Sequence, residues 1–88
     1  MISNEEKPFN VPKLREVPIA RFFNKMQGRR VLHVRCPFHR EKTGSLALYA
    51  DNSFHCFGCT KHGTGAIDFV MALGADFREA CIELQKMV

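Results

Sequence analysis

Acidic residues are scarce in this chain: nine Asp and Glu among 88 residues, none of them gathered into a cluster. Chemistry on phosphodiesters through divalent metal needs such a cluster, so no catalytic centre of that kind is expected. No pairing of a nucleophile with a base is visible either. Long apolar runs are missing as well. Nothing approaches the ~18 consecutive apolar residues of a membrane span. Met1–Lys13 is polar and broken by two prolines, unlike a secretory leader. Internal repeats and low-complexity tracts are absent. With these classes set aside, the expectation is a small cytoplasmic domain with no membrane partner, in a compartment where thiols stay reduced.

What the chain does contain is ordinary for a globular domain, with 45% hydrophobic and 25% charged residues. A domain this small buries only about two-thirds of the surface its unfolded chain exposes, so its own core is marginal. The four cysteines bear on that shortage. Cys36-Pro37-Phe38-His39 and Cys56-Phe57-Gly58-Cys59 are two turns with ligand spacing, separated by 16 residues. That gap suits a zinc site built from two such turns. Three thiolates and one imidazole close a tetrahedral ion, leaving no position for water or substrate, so one structural Zn2+ is expected. Its binding would add roughly 10–16 kcal/mol that becomes folding energy. Two disulfides would be the alternative in a secreted chain. Among the histidines, His39 has the spacing to complete the set Cys36, His39, Cys56, Cys59. His62, three residues beyond Cys59, is the substitute, and His55 should point away from Cys56 on a strand. Cys81 falls within an apolar stripe and reads as packing.

Charge is distributed unevenly along the chain. Residues 17–42 carry Arg21, Lys25, Arg29, Arg30, Arg35, Arg40 and Lys42 against the single acid Glu41. The C-terminal stretch is mildly acidic. Around the metal turns basic and aromatic residues are interleaved, the combination that binds single-stranded nucleic acid through phosphates and stacked bases. The candidate contacts are Arg29, Arg30, Arg35, Arg40, Lys42, Tyr49, Phe57 and Lys61. The plainer reading is a solvated basic face, with Phe38, Phe54 and Phe57 shielding the zinc.

The order of elements follows from periodicity and turn residues. Residues 1–16 read as a flexible lead-in and 17–88 as the domain. Pro18–Met26 places Ile19, Phe22, Phe23 and Met26 at helical spacing, ending at Gly28. Arg29–Arg35 reads as a strand with Leu32 and Val34 inward, followed by Ser45–Ala50 and Ser53–Cys56 as strands joined at Asp51-Asn52. Gly58 is expected to supply a positive φ. Thr60–Gly65 reads as a loop and Thr64 as the cap of a helix carrying Ile67, Val70, Met71 and Leu73. Asp76-Phe77-Arg78-Glu79 opens a second helix with an acid-x-x-Glu pattern. The fold class is therefore small α+β: a zinc ribbon with a three-stranded antiparallel sheet flanked by helices.

The motifs also carry a resemblance. Cys36-Pro37-Phe38-His39, Glu41-Lys42-Thr43 with Ser45, Phe54-His55-Cys56-Phe57-Gly58-Cys59 and Ile67-Asp68-Phe69-Val70 are similar to the N-terminal zinc-binding domain of bacterial DnaG-type DNA primases and their phage and plasmid relatives, over about Val17 to Val88. The resemblance implies Cys36, His39, Cys56 and Cys59 as ligands. It further implies contact with a single-stranded DNA template and help in choosing where a primer starts during DNA replication. The synthesis itself would lie in a separate primase catalytic domain, with that domain or a replicative helicase as partner. Departures from the pattern are Gly44 for the usual Pro, Leu46 for Phe, and Thr60 where Gly commonly follows the last cysteine. The alternative is a free-standing module, such as one from a mobile element, that docks on a polymerase or helicase and whose basic patch is incidental.

Overall fold

Alternation of apolar and polar residues organises the sheet as it does the sequence. In the computed structural model, which describes residues 9–38 and 44–87, four antiparallel strands lie side by side in chain order. They are β1 (Leu32–Val34), β2 (Leu46–Leu48), β3 (Ser53–Cys56) and β4 (His62–Thr64). The register aligns Leu32, Leu48 and Phe54, and beside them Val34, Leu46 and Cys56. These rows form the inner face, where all but the half-buried Leu32 are buried.

The zinc-ribbon class holds, with one strand more than the three expected. The segment read as a loop contains β4, which pairs along β3 as Ser53 with Thr64, Phe54 with Gly63 and His55 with His62. Strand propensity gives no hint of it, because Gly63 is a poor strand former. Glycine is there for space: a Cβ on Gly63 would come within 3.0 Å of the Phe54 ring and of the Asp68 Cβ.

Three short helices cover the inner face: α1 (Val11–Arg15), α2 (Ala66–Ala72) and α3 (Phe77–Gln85). Within the stretch expected as a lead-in, Val11–Arg15 forms α1 and buries Leu14 in the core. Pro18–Met26 does not form the expected α-helix. A 3-10 turn at Ile19–Phe23 stops at Asn24, which adopts a left-handed conformation (φ 57°). The chain therefore turns before Gly28, and Met26 is 90% exposed rather than buried. Thr64 does not cap α2 with its side chain; Gly65 holds the N-cap position at φ 90°, and the Asp68 carboxylate accepts from the Thr64 N–H at 3.0 Å. The capping box at α3 is present in full, with Asp76 accepting from the Glu79 amide and Glu79 from the Asp76 amide.

Between sheet and helices the core is aromatic. Phe69 on α2 packs against Phe22, Phe23, Phe38 and Phe54 with ring centroids 5.3–5.9 Å apart. Cys81 is fully buried on α3, and burial pushes its thiol up. No helix among the described residues is long and apolar enough to cross a membrane.

Candidate metal centre and nucleic-acid face

β1 ends two residues before Cys36, while β3 ends at Cys56 and turns through Phe57-Gly58-Cys59 into β4. The sheet thereby brings the Sγ atoms of Cys36, Cys56 and Cys59 within 4.8 Å of one another. Cys36 and Cys59 are 3.7 Å apart. A disulfide would need about 2.05 Å, and all four cysteines are free. Two sulfurs each about 2.3 Å from one tetrahedral zinc sit about 3.8 Å apart. The spacing is that of ligands sharing an ion.

Backbone amides point at these sulfurs. Phe38 N–H donates to Cys36 at 3.3 Å, and Gly58 and Cys59 N–H donate to Cys56 at 3.3 and 3.4 Å. The second turn is closed by Cys56 N–H to Lys61 C=O and Thr60 N–H to Cys56 C=O, both 2.8 Å. Its left-handed residue is Thr60 (φ 65°), not Gly58 as expected. Burial pushes the Cys56 thiol up, but donors from Cys59, Ser45, Cys36 and Gly58 outweigh it and bring the value down to about 6. Burial pushes Cys36 up to about 12; the Phe38 amide opposes it, while the Cys56 and Cys59 sulfurs add to the rise. A negative charge on the Cys56 sulfur disfavours a second on Cys36 beside it. Three thiolates together require a cation.

His39, Arg40 and Lys42 lie outside the described residues. Among the described residues no histidine joins the three sulfurs. The substitute His62 pairs with His55 on the outer face and stacks on it, ring centroids 5.9 Å apart. Phe38 turns inward from the first metal turn to meet Phe54 and Phe69, with the Lys61 ammonium 5.8 Å above its ring. That places Lys61 on the Phe38 side of the ribbon.

The outer face of the sheet holds a feature that the sequence reading missed. The register sets His33, Ala47, His55 and His62 in one row across all four strands. Exposed Phe57 (64%) stands edge-on to His55 at 4.6 Å. Tyr49, paired with Ser53, and the exposed Arg35 extend the same side. None of these positions is acidic. Arg29 and Arg30 are exposed in the bend that leads into β1. Alternation alone puts His33 and His55 outward, but His62 completes the row only once β4 is recognised.

Sequence comparison decides the family. The pattern of the CHC2 zinc finger matches residues 16–88. The chain belongs to the CHC2 zinc finger family. Its relatives include the DNA primase of Escherichia coli K12, 46% identical over 70 residues, which is 77% of this chain and 12% of that protein. The DNA primase of Salmonella typhimurium is 46% identical over 65 residues (72% and 11%). That of Chlamydia pneumoniae is 51% identical over 53 residues (58% and 9%). The chain thus spans about an eighth of the length of the curated relatives it matches, in their N-terminal zinc-binding region. The CHC2 family and the three-sulfur cluster together identify one structural zinc. In such a site the ion supplies folding energy and holds the surrounding surface in shape.

Proposed function

We propose that this CHC2 domain is the template-binding module of a primase. Its ribbon would bind single-stranded DNA on the outer sheet face and help fix where primer synthesis begins in DNA replication. The observation that carries this reading is the outer row, none of whose residues is acidic, with the rings of His33, His55, His62, Tyr49 and Phe57 beside Arg35. Bases stack on such rings irrespective of sequence, while basic side chains track the phosphates. Arg29, Arg30, Arg35, Arg40 and Lys42 supply the phosphate contacts and Phe57 or Tyr49 the stacking. Lys61, above Phe38, contributes from the neighbouring side. His39 completes the zinc set with Cys36, Cys56 and Cys59. Nucleotide joining belongs to a primase catalytic domain, and a replicative helicase is the second partner, in the cytoplasm.

Anisotropy of a labelled single-stranded oligonucleotide tests the reading. Phe57→Ala should weaken binding about tenfold, within the ~1–3 kcal/mol of a lost base–ring stack. Affinity should fall with salt at a log–log slope of about −0.7 per phosphate neutralised. A flat salt response with unchanged affinity in Phe57→Ala and Arg35→Ala would refute the face.

One observation favours a protein-docking role beside it. Met71, Leu73 and Phe77 are exposed on the helical side, near the acids Asp76 and Glu79. A tight polymerase or helicase partner without any DNA affinity would make that the main function.

A further inference from the structure

Ser45 stands just ahead of β2, the one strand of the first three that leads to no metal-site cysteine. Its carbonyl accepts from the Phe57 N–H at 2.9 Å, which fixes the residue against the second metal turn. Its Oγ then lies 3.6 Å from the Cys56 Sγ. A thiolate has no proton to give, so with Cys56 ionised around a metal the hydroxyl is the donor. The Gly58 and Cys59 amides, which also donate to Cys56, belong to the turn itself and come with any chain that folds this way. Ser45 is a side-chain contribution from elsewhere in the sheet.

Burial makes that contribution matter. Cys56 is fully buried, whereas Cys59 is half-buried and open to water. A buried anion depends on protein donors to disperse its charge. Groups that hydrogen-bond a metal's ligands commonly set affinity by one to two orders of magnitude. We propose that Ser45 is a positioning residue for the zinc: its hydroxyl draws charge from the Cys56 sulfur and so sets how tightly the ribbon keeps its metal. The proposal rests on Cys56 being a ligand, and it joins β2 to a centre otherwise built by the turns after β1 and β3.

The test uses the full chain as wild type, Ser45→Ala, Ser45→Thr and Cys56→Ser. Zinc transfer to a chromophoric chelator gives the affinity, and the sulfur-to-cobalt charge-transfer band of the Co2+-loaded protein gives the electron density on the ligands. Ser45→Ala should surrender zinc about tenfold more readily and move the band to lower energy. Ser45→Thr, which keeps the hydroxyl, should restore both. A purely structural serine would leave the band of the folded protein where it was. An unmoved band and an unchanged affinity in Ser45→Ala, or no rescue by Ser45→Thr, overturns the proposal. Full retention of zinc by Cys56→Ser would overturn the ligand reading beneath it, a result separate from either.

Discussion

Thr60 closes the second metal turn at φ 65°, a conformation that costs a β-branched L-residue about 1–2 kcal/mol. Its hydroxyl donates to the Cys59 carbonyl, which offsets part of that cost. Thr60→Gly should therefore raise the stability of the zinc-loaded protein by about 1 kcal/mol, read as an upward shift in melting temperature. A lower melting temperature would mean that the hydroxyl contact outweighs the backbone strain. Nothing in the residue type announces this conformation. Gly58 is the residue whose chemistry suggests positive φ, yet Thr60 carries it, because the amides of Gly58 and Cys59 must both turn onto Cys56. The sequence shows this position only as a departure from the family's usual glycine. Cys56 adds a pH dependence. With its thiol lowered from 9.0 to about 6, the folded chain binds fewer protons than the unfolded chain between those values. The Cys56 contribution is complete above 9.0 and lost as pH falls through about 6, while the raised Cys36 thiol takes stability away as pH climbs above 9.0. A bound divalent cation favours the thiolates further and moves the loss lower. Zinc release and unfolding should coincide on acidification, at or below a midpoint of about 6. Release followed by a chelator dye, with a midpoint above neutrality, would contradict this.

Among the elements, the ones legible in the sequence are those whose local chemistry and tertiary role agree. Asp76 and Glu79 form the capping box that their spacing announces. Leu32 and Val34 face inward as alternation requires, with His33 exposed between them. The misread elements are those decided by distant partners. β4 exists because β3 offers an edge and Gly63 leaves room for Phe54. Met26 sits at helical spacing from Phe22 and Phe23 but is exposed, because Asn24 turns the chain first. Asn52 reads as a hairpin residue and does far more. Its Oδ1 accepts from Ile19 N–H, its Nδ2 donates to the Arg15 and Val17 carbonyls, each at 2.9 Å, and its own carbonyl accepts from Gly65 N–H at 2.8 Å. One side chain thus fastens α1 and the 3-10 turn to the sheet. Asn52→Ala removes three hydrogen bonds, two of them partly buried, and puts alanine at a left-handed position (φ 69°), so it should cost about 2–4 kcal/mol at roughly 1 kcal/mol per bond plus the backbone strain. Urea unfolding of the zinc-loaded protein measures it. A loss under 1 kcal/mol would show that α1 is held by Leu14 packing instead.

At the scale of the molecule, metal and core are one structure. Phe38, two residues from Cys36, reaches Phe54 and Phe69, and Phe69 carries Phe22 and Phe23. Losing the ion frees the first turn and with it a corner of the aromatic cluster. The paired cysteines made the metal site readable from spacing, because ligand geometry is local to each turn. The outer row of His33, Ala47, His55 and His62 was not readable, because it depends on the register of four strands. On α3 and its caps the acids Asp76, Glu79 and Glu83 are mixed with the bases Arg78 and Lys86, whereas no residue of the outer row is acidic. A metal worth roughly 10–16 kcal/mol of apparent folding energy exceeds or matches the whole stability of a domain of this size. Elemental analysis of the freshly isolated chain, followed by near-ultraviolet circular dichroism during chelator titration, addresses that directly. One zinc per chain is expected, with the tertiary signal lost as the zinc leaves. A chain that carries no metal, or that keeps its tertiary signal after complete chelation, would contradict it.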